Sequence, residues 1–103
     1  MTSTKPFVAA AVQAAPVFLD RAATIAKACD LITDAASRGA KLIVLPETFV
    51  PSYPSWIWVL PLTRRAEWSQ LHAELLANAV TVPGPETEVL GQAARAAGGA
   101  PRA

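Results

Sequence analysis

The stretch "GAKLIVLPE", Gly39 to Glu47, decides the fold class. Lys41 to Leu45 is an unbroken apolar run after its first residue, not an alternating one. Such a run reads as a strand buried on both faces, the pattern of a parallel sheet. Pro46 cannot donate to a ladder and stops it. Gly39, just upstream, suits the residue that follows a helix, where a left-handed conformation is needed.

Working outward, Phe7 to Ala14, "FVAAAVQA", is a second continuous apolar run. It predicts another strand buried on both faces, ended by Pro16. Between the two runs, Arg21 to Arg38 is helical in pattern. Ala22, Ile25, Cys29, Ile32 and Ala36 recur at spacings of three and four, giving one apolar stripe. Asp20 is the expected N-cap. Strand, helix and strand within about 40 residues make a βαβ unit. Its strands should be parallel and its crossover right-handed. Parallel strands require helices on their faces, so the fold class is α/β.

Downstream, Arg64 to about Ala79 predicts a helix with Trp68, Leu71 and Leu75 on its apolar stripe. "TVPGPE" is a turn, with Pro85 suited to a first helical turn. Glu86 to Ala97 predicts a further helix, with Val89, Leu90, Ala93 and Ala97 inward and Gly98 as its stop. The alternation then calls for a third strand. The sequence offers "GAPRA", residues 99–103, which is off-pattern: it has no β-branched residue, and Pro101 cannot pair.

Composition narrows the function. The chain has 103 residues, 52% hydrophobic and 17% charged, with net charge +1. That excludes disorder, and the high apolar share suggests surfaces that expect more protein to cover them. The basic residues are scattered, so no nucleic-acid or membrane partner is expected. The single cysteine, Cys29, rules out an internal disulfide and fits a reducing, cytoplasmic setting. A lone Lys5 before a short run interrupted by Gln13 makes a poor export signal. No uncharged run approaches the ~20 residues of a membrane span.

Glu47 is the main catalytic candidate. It lies just past the C-terminal end of a parallel strand, the edge where ligands bind in open α/β sheets. Pro46 restricts both itself and Leu45, so the carboxylate starts from a stiff backbone. A solvated loop acid is the competing reading. Cys29 sits mid-helix between Ile25 and Ile32, away from the helix N-terminus or cation a reactive thiolate needs, and reads as structural. His72, the only histidine, has no metal-ligand partner at the right spacing. Lys41 opens the strand that Glu47 follows, roughly 20 Å away at strand rise, at the wrong end to assist. Tyr53, Trp56 and Trp58 could line an apolar substrate pocket or form a subunit interface.

Taken together, "VAAAVQAAPVFLD", the helix ending "ASRGA", "KLIVLPETFVPSYPSWIW" and "NAVTVPGPETEVLGQAARAAG" resemble the start of a nitrilase, a carbon–nitrogen hydrolase. The resemblance runs from Phe7 to about Gly98. The segment "PSYPSWIW" resembles true nitrilases more than the amidase branch. It implies an αββα sandwich, of which this would be an N-terminal part, covering residues 1–98. It implies homo-oligomers in full-length members, a small-molecule nitrile substrate, and no metal or organic cofactor. It also implies a Glu–Lys–Cys catalytic set, in which Glu47 matches the general base.

The other two members of that set lie much farther along in family members, so the chain is expected to be an N-terminal piece, inactive alone. The off-pattern tail at 99–103 favours a premature stop or a shifted frame. Cys29 and Lys41 do not match the family motifs. The set is needed because a nitrile carbon is a poor electrophile: a thiolate must attack, a base must form it, and a cation must stabilise the developing negative charge. The competing classes are a small non-catalytic α/β module that binds a partner through its Trp/Pro-rich loop, or a fragment of an amidase-branch member.

Overall fold

A computed structural model describes residues 5–98. The elements run β1 (Val8–Ala11), α1 (Arg21–Ser37), β2 (Ala40–Val44), α2 (Trp56–Val59), α3 (Arg65–Ala77) and α4 (Pro85–Gly98). β1 and β2 pair in parallel, with Ala9 opposite Leu42 and Ala11 opposite Val44. The Val12 amide donates to the Val44 carbonyl at 2.9 Å and carries the ladder one step past β1. The α/β class and the βαβ unit are therefore present, and both strands point their C-terminal ends at the same edge.

The elements form where local chemistry asks for them. The Asp20 carboxylate accepts from the Ala23 amide at 2.9 Å and caps α1. Gly39, at φ 92, turns the chain out of α1 into β2. Pro85 opens α4, where its missing N–H costs nothing.

Burial departs from the sequence reading in several places. The strands were expected to be covered on both faces, yet Val8 is 54%, Leu42 50% and Val44 54% exposed. Among the described residues the sheet has two strands, and the helix that packs on β2 is α1. One layer cannot cover two faces. The core stripe of α1 is Thr24, Ile25, Ala28 and Ile32. Ala22 is exposed, and Cys29 and Ala36 are only half-buried. Thr24 replaces an apolar residue on that stripe because its hydroxyl is fully used. It accepts from the Val17 amide at 3.1 Å and donates to the Val17 carbonyl at 2.9 Å.

Trp68, Leu71 and Leu75 of α3 are half-buried, and no residue of that helix is buried. Val89 of α4, expected inward, is exposed, whereas Leu90, Ala93 and Ala97 are partly covered against α1. Gly98, expected as the stop of α4, is itself helical and is the last described residue. The one-turn helix α2 is an element the sequence did not announce. The expected break at residues 99–103 lies outside the described residues.

The radius of gyration is 17.0 Å and the extents are 59 × 27 × 25 Å. A compact domain of this length has a radius nearer ~13 Å. The difference fits a molecule with one packed centre, α1 on α4 and β2, and uncovered surfaces around it.

Candidate active site

Glu47 occupies the first turn after β2, two residues beyond Leu45 and on the C-terminal edge of the sheet. Residues 47–51 form continuous turns, and Glu47 itself is exposed. Among the described residues no side chain holds its carboxylate by a hydrogen bond or ion pair. Its position is therefore set by the backbone on either side. Upstream, Pro46 and the β2 ladder fix the chain. Downstream, Phe49 is 5% exposed and drops into the interior. Between them Thr48 takes a left-handed φ of 55.

The aromatic segment that follows divides in two. Trp56 is 4% exposed. Its ring meets Phe18 edge-on at 6.1 Å and His72 edge-on at 5.4 Å. Its indole N–H donates to His72 Nδ1 at 3.0 Å. An indole nitrogen can only donate, so Nδ1 must be the acceptor in this arrangement. The 3.2 Å approach of the same Nδ1 to the Trp68 carbonyl then joins two acceptors and is no hydrogen bond. His72 also stacks on Trp68 at 5.9 Å, with planes 8° apart. Trp56 is thus a core bolt between the β1–α1 loop and α3, and offers almost no ring to a ligand. Tyr53 and Trp58 are 47% and 75% exposed, and the Trp58 indole donates to the Tyr53 hydroxyl at 3.0 Å.

The remaining candidates sit elsewhere. Lys41 lies in β2 beside Ala40, which pairs with Val8 at the opposite edge of the sheet. Cys29 is half-buried midway along α1. Neither is brought to Glu47. No group of three or more His, Cys, Asp or Glu residues that could hold a metal ion occurs among the described residues. No helix among them is long and apolar enough to cross a membrane. A wide groove of about 1110 Å³ opens along the far end of β2, lined by Ile32, Lys41, Leu42, Ala94 and Arg95 among others. It is a half-open trough over uncovered sheet, and Glu47 takes no part in it.

Sequence reasoning missed two residues that shape this edge, Thr24 and Ser52. Thr24 is fully buried, and Ser52 is 3% exposed with its hydroxyl accepting from the Leu19 amide at 3.2 Å. A signal existed for Thr24, since it falls beside Ile25 and one turn before Ala28 on the helix. For Ser52 none did, because its partner is 33 residues away.

Comparison with known proteins gives this geometry a context. Residues 8–100 match the model of the family described as "Carbon-nitrogen hydrolase". An arylacetonitrilase of Aspergillus oryzae is 46% identical over 77 residues, which is 75% of this chain and 22% of that protein. An arylacetonitrilase of Hypocrea virens is 46% identical over 89 residues, 86% of this chain and 26% of that protein. A nitrilase of Bacillus sp. OxB-1 is 44% identical over 85 residues, 82% of this chain and 24% of that protein. The chain spans about a quarter of the length of these curated relatives.

Proposed function

The chain belongs to the carbon–nitrogen hydrolase family, and from that premise we propose that it forms the base-bearing portion of a nitrile hydrolase, with Glu47 as the general base. The supporting observation is where Glu47 stands. It is an exposed carboxylate in the first turn past a parallel strand, on a backbone fixed at both ends.

In the proposed reaction Glu47 takes the proton of a cysteine thiol, and the thiolate adds to the nitrile carbon to give a thioimidate. Addition of water expels ammonia and leaves a thioester. A second water, deprotonated by the same carboxylate, releases the carboxylic acid and restores the thiol. A lysine stabilises the negative charge that develops on the substrate. The cysteine and lysine come from protein beyond these residues, since Cys29 and Lys41 are not brought to Glu47. We therefore propose residues 1–98 as the N-terminal portion of the catalytic domain, with 99–103 as an off-pattern tail, and no turnover by the 103-residue chain alone. The exposed Tyr53 is the proposed substrate contact; Trp56, the other candidate, stays in the core against Phe18 and His72. A reaction without metal or organic cofactor, a cytoplasmic setting, and homo-oligomers of the whole protein complete the reading. Arylacetonitriles are the first substrate class to test, because relatives bearing that name share the Glu47 region.

The test has two arms. The purified chain, given arylacetonitriles and aliphatic nitriles, should release no ammonia. A chimera carrying residues 8–98 in place of the matching segment of the Aspergillus oryzae protein should release it, and Glu47→Gln should reduce that turnover at least 1,000-fold. Turnover by the isolated chain that Glu47→Ala abolishes would refute the need for the other two groups. An active Glu47→Gln chimera would refute the role of Glu47.

A further inference from the structure

The loop carrying Glu47 is built from unusual backbone. Among the described residues the non-glycine positions with positive φ are Leu19 at 49, Thr48 at 55 and Ser52 at 149. All three lie in the two loops that leave the C-terminal edge of the sheet. Such conformations are sparsely populated and persist only where the surroundings hold them. One hydrogen bond joins the two loops at these positions: the Leu19 amide donates to the Ser52 hydroxyl at 3.2 Å.

The bond has firm ground on one side. Val17, two residues before Leu19, is tied to the fully buried Thr24 of α1 through both its amide and its carbonyl. The Asp20 amide also donates to the Val17 carbonyl at 3.1 Å. The β1–α1 loop is thereby part of the helix start, and Leu19 presents its N–H from a fixed frame. On the other side Ser52 is 3% exposed, and the buried Phe49 lies between it and Glu47. Its hydroxyl is the polar link from the Glu47 turn back to α1. Since no side chain among the described residues holds the Glu47 carboxylate, the backbone between Pro46 and Ser52 decides where it points.

We infer that Ser52 is a positioning residue for Glu47: its hydroxyl, taken by the Leu19 amide, fixes the turn in the geometry a proton transfer needs. The inference rests on Glu47 being the base. A base must be held within a fraction of an ångström of the proton it removes, so loosening the far end of its turn lowers kcat more than it raises KM.

Ser52→Ala removes the acceptor and keeps the strained φ. Ser52→Gly removes the acceptor but accepts that φ freely, so it should fold even where alanine does not. In the 103-residue chain labelled with 15N, Ser52→Gly should speed exchange of the Leu19 amide at least tenfold and leave the amides of Ala28 and Ile32 unchanged. In the chimera both variants should lower kcat about tenfold or more, with KM within twofold. A Ser52→Gly chimera with parental kcat overturns the inference, as does one whose kcat and melting midpoint fall while KM rises in proportion, which marks a structural role alone. An inactive parent chimera, or an active Glu47→Gln chimera, instead removes the reading of Glu47 on which the inference stands.

Discussion

The two edges of this small sheet differ sharply. At the C-terminal edge, polar bonds and buried rings tie three segments together. Thr24 holds Val17, Ser52 holds Leu19, and Trp56 joins Phe18 to His72. At the N-terminal edge and across the open face, Phe7, Val8, Leu42 and Val44 stand at least half exposed, and Phe7 and Leu42 line a wide groove. The contrast separates two kinds of stabilisation. Loop bonds are satisfied by side chains already present in a short segment. Apolar sheet surface is satisfied only by another layer, which the described residues do not supply. The candidate site belongs to the first kind.

The largest test of that contrast is Trp56→Ala. Truncating a buried tryptophan costs about 3–5 kcal/mol, a large share of any small domain's stability. The near-UV signal should collapse and the urea midpoint should fall accordingly. Thr24→Val comes next. It keeps the shape but leaves the Val17 amide without its partner, while the Val17 carbonyl keeps only the Asp20 amide, at about 1–3 kcal/mol by the same urea titration. Leu42→Lys, on the open face, should change stability by no more than about 0.5 kcal/mol and should raise solubility, read by light scattering. A Leu42→Lys loss as large as that of Thr24→Val would break the contrast, because it would mean the face is covered in solution.

The smallest effect lies outside both edges, at Glu67 in the first turn of α3. Its own backbone amide and the Arg64 guanidinium, 3.0 Å away, hold its carboxyl below the usual value of 4.5. A lowered folded pKa adds stability that is complete above the unfolded value. That contribution is lost as pH falls below about 4.5 and through the lowered one. The stability difference between the wild type and Glu67→Gln should therefore be flat above pH 5, vanish on acidification, and shrink with salt, since both groups are solvated. A difference that grows on acidification would reverse the assignment.

What could be read from the sequence was local. Asp20 caps α1 because an N-cap needs only the next three residues, and Gly39 turns the chain because only its own φ matters. The parallel pairing of β1 and β2 followed from two apolar runs flanking one helix. Glu47 stood out for the same reason, as a carboxylate just past a strand and a proline. Exposure of the strands could not be read, because it depends on a neighbouring layer. The burial of Ser52 could not either, because a loop partner 33 residues away decides it. The one-turn helix α2 hid behind prolines that made its segment look like a stiff loop.

The three tryptophans turn the aromatic segment into its own optical gauge. Trp56 is 4% exposed and bonded to an imidazole, Trp68 is half-buried against the same ring, and Trp58 is 75% exposed. Iodide should quench Trp58 readily and Trp56 hardly at all. Emission should shift to the red when the loop lifts from α3, so detachment of the Glu47 segment can be watched as colour before any substrate is added.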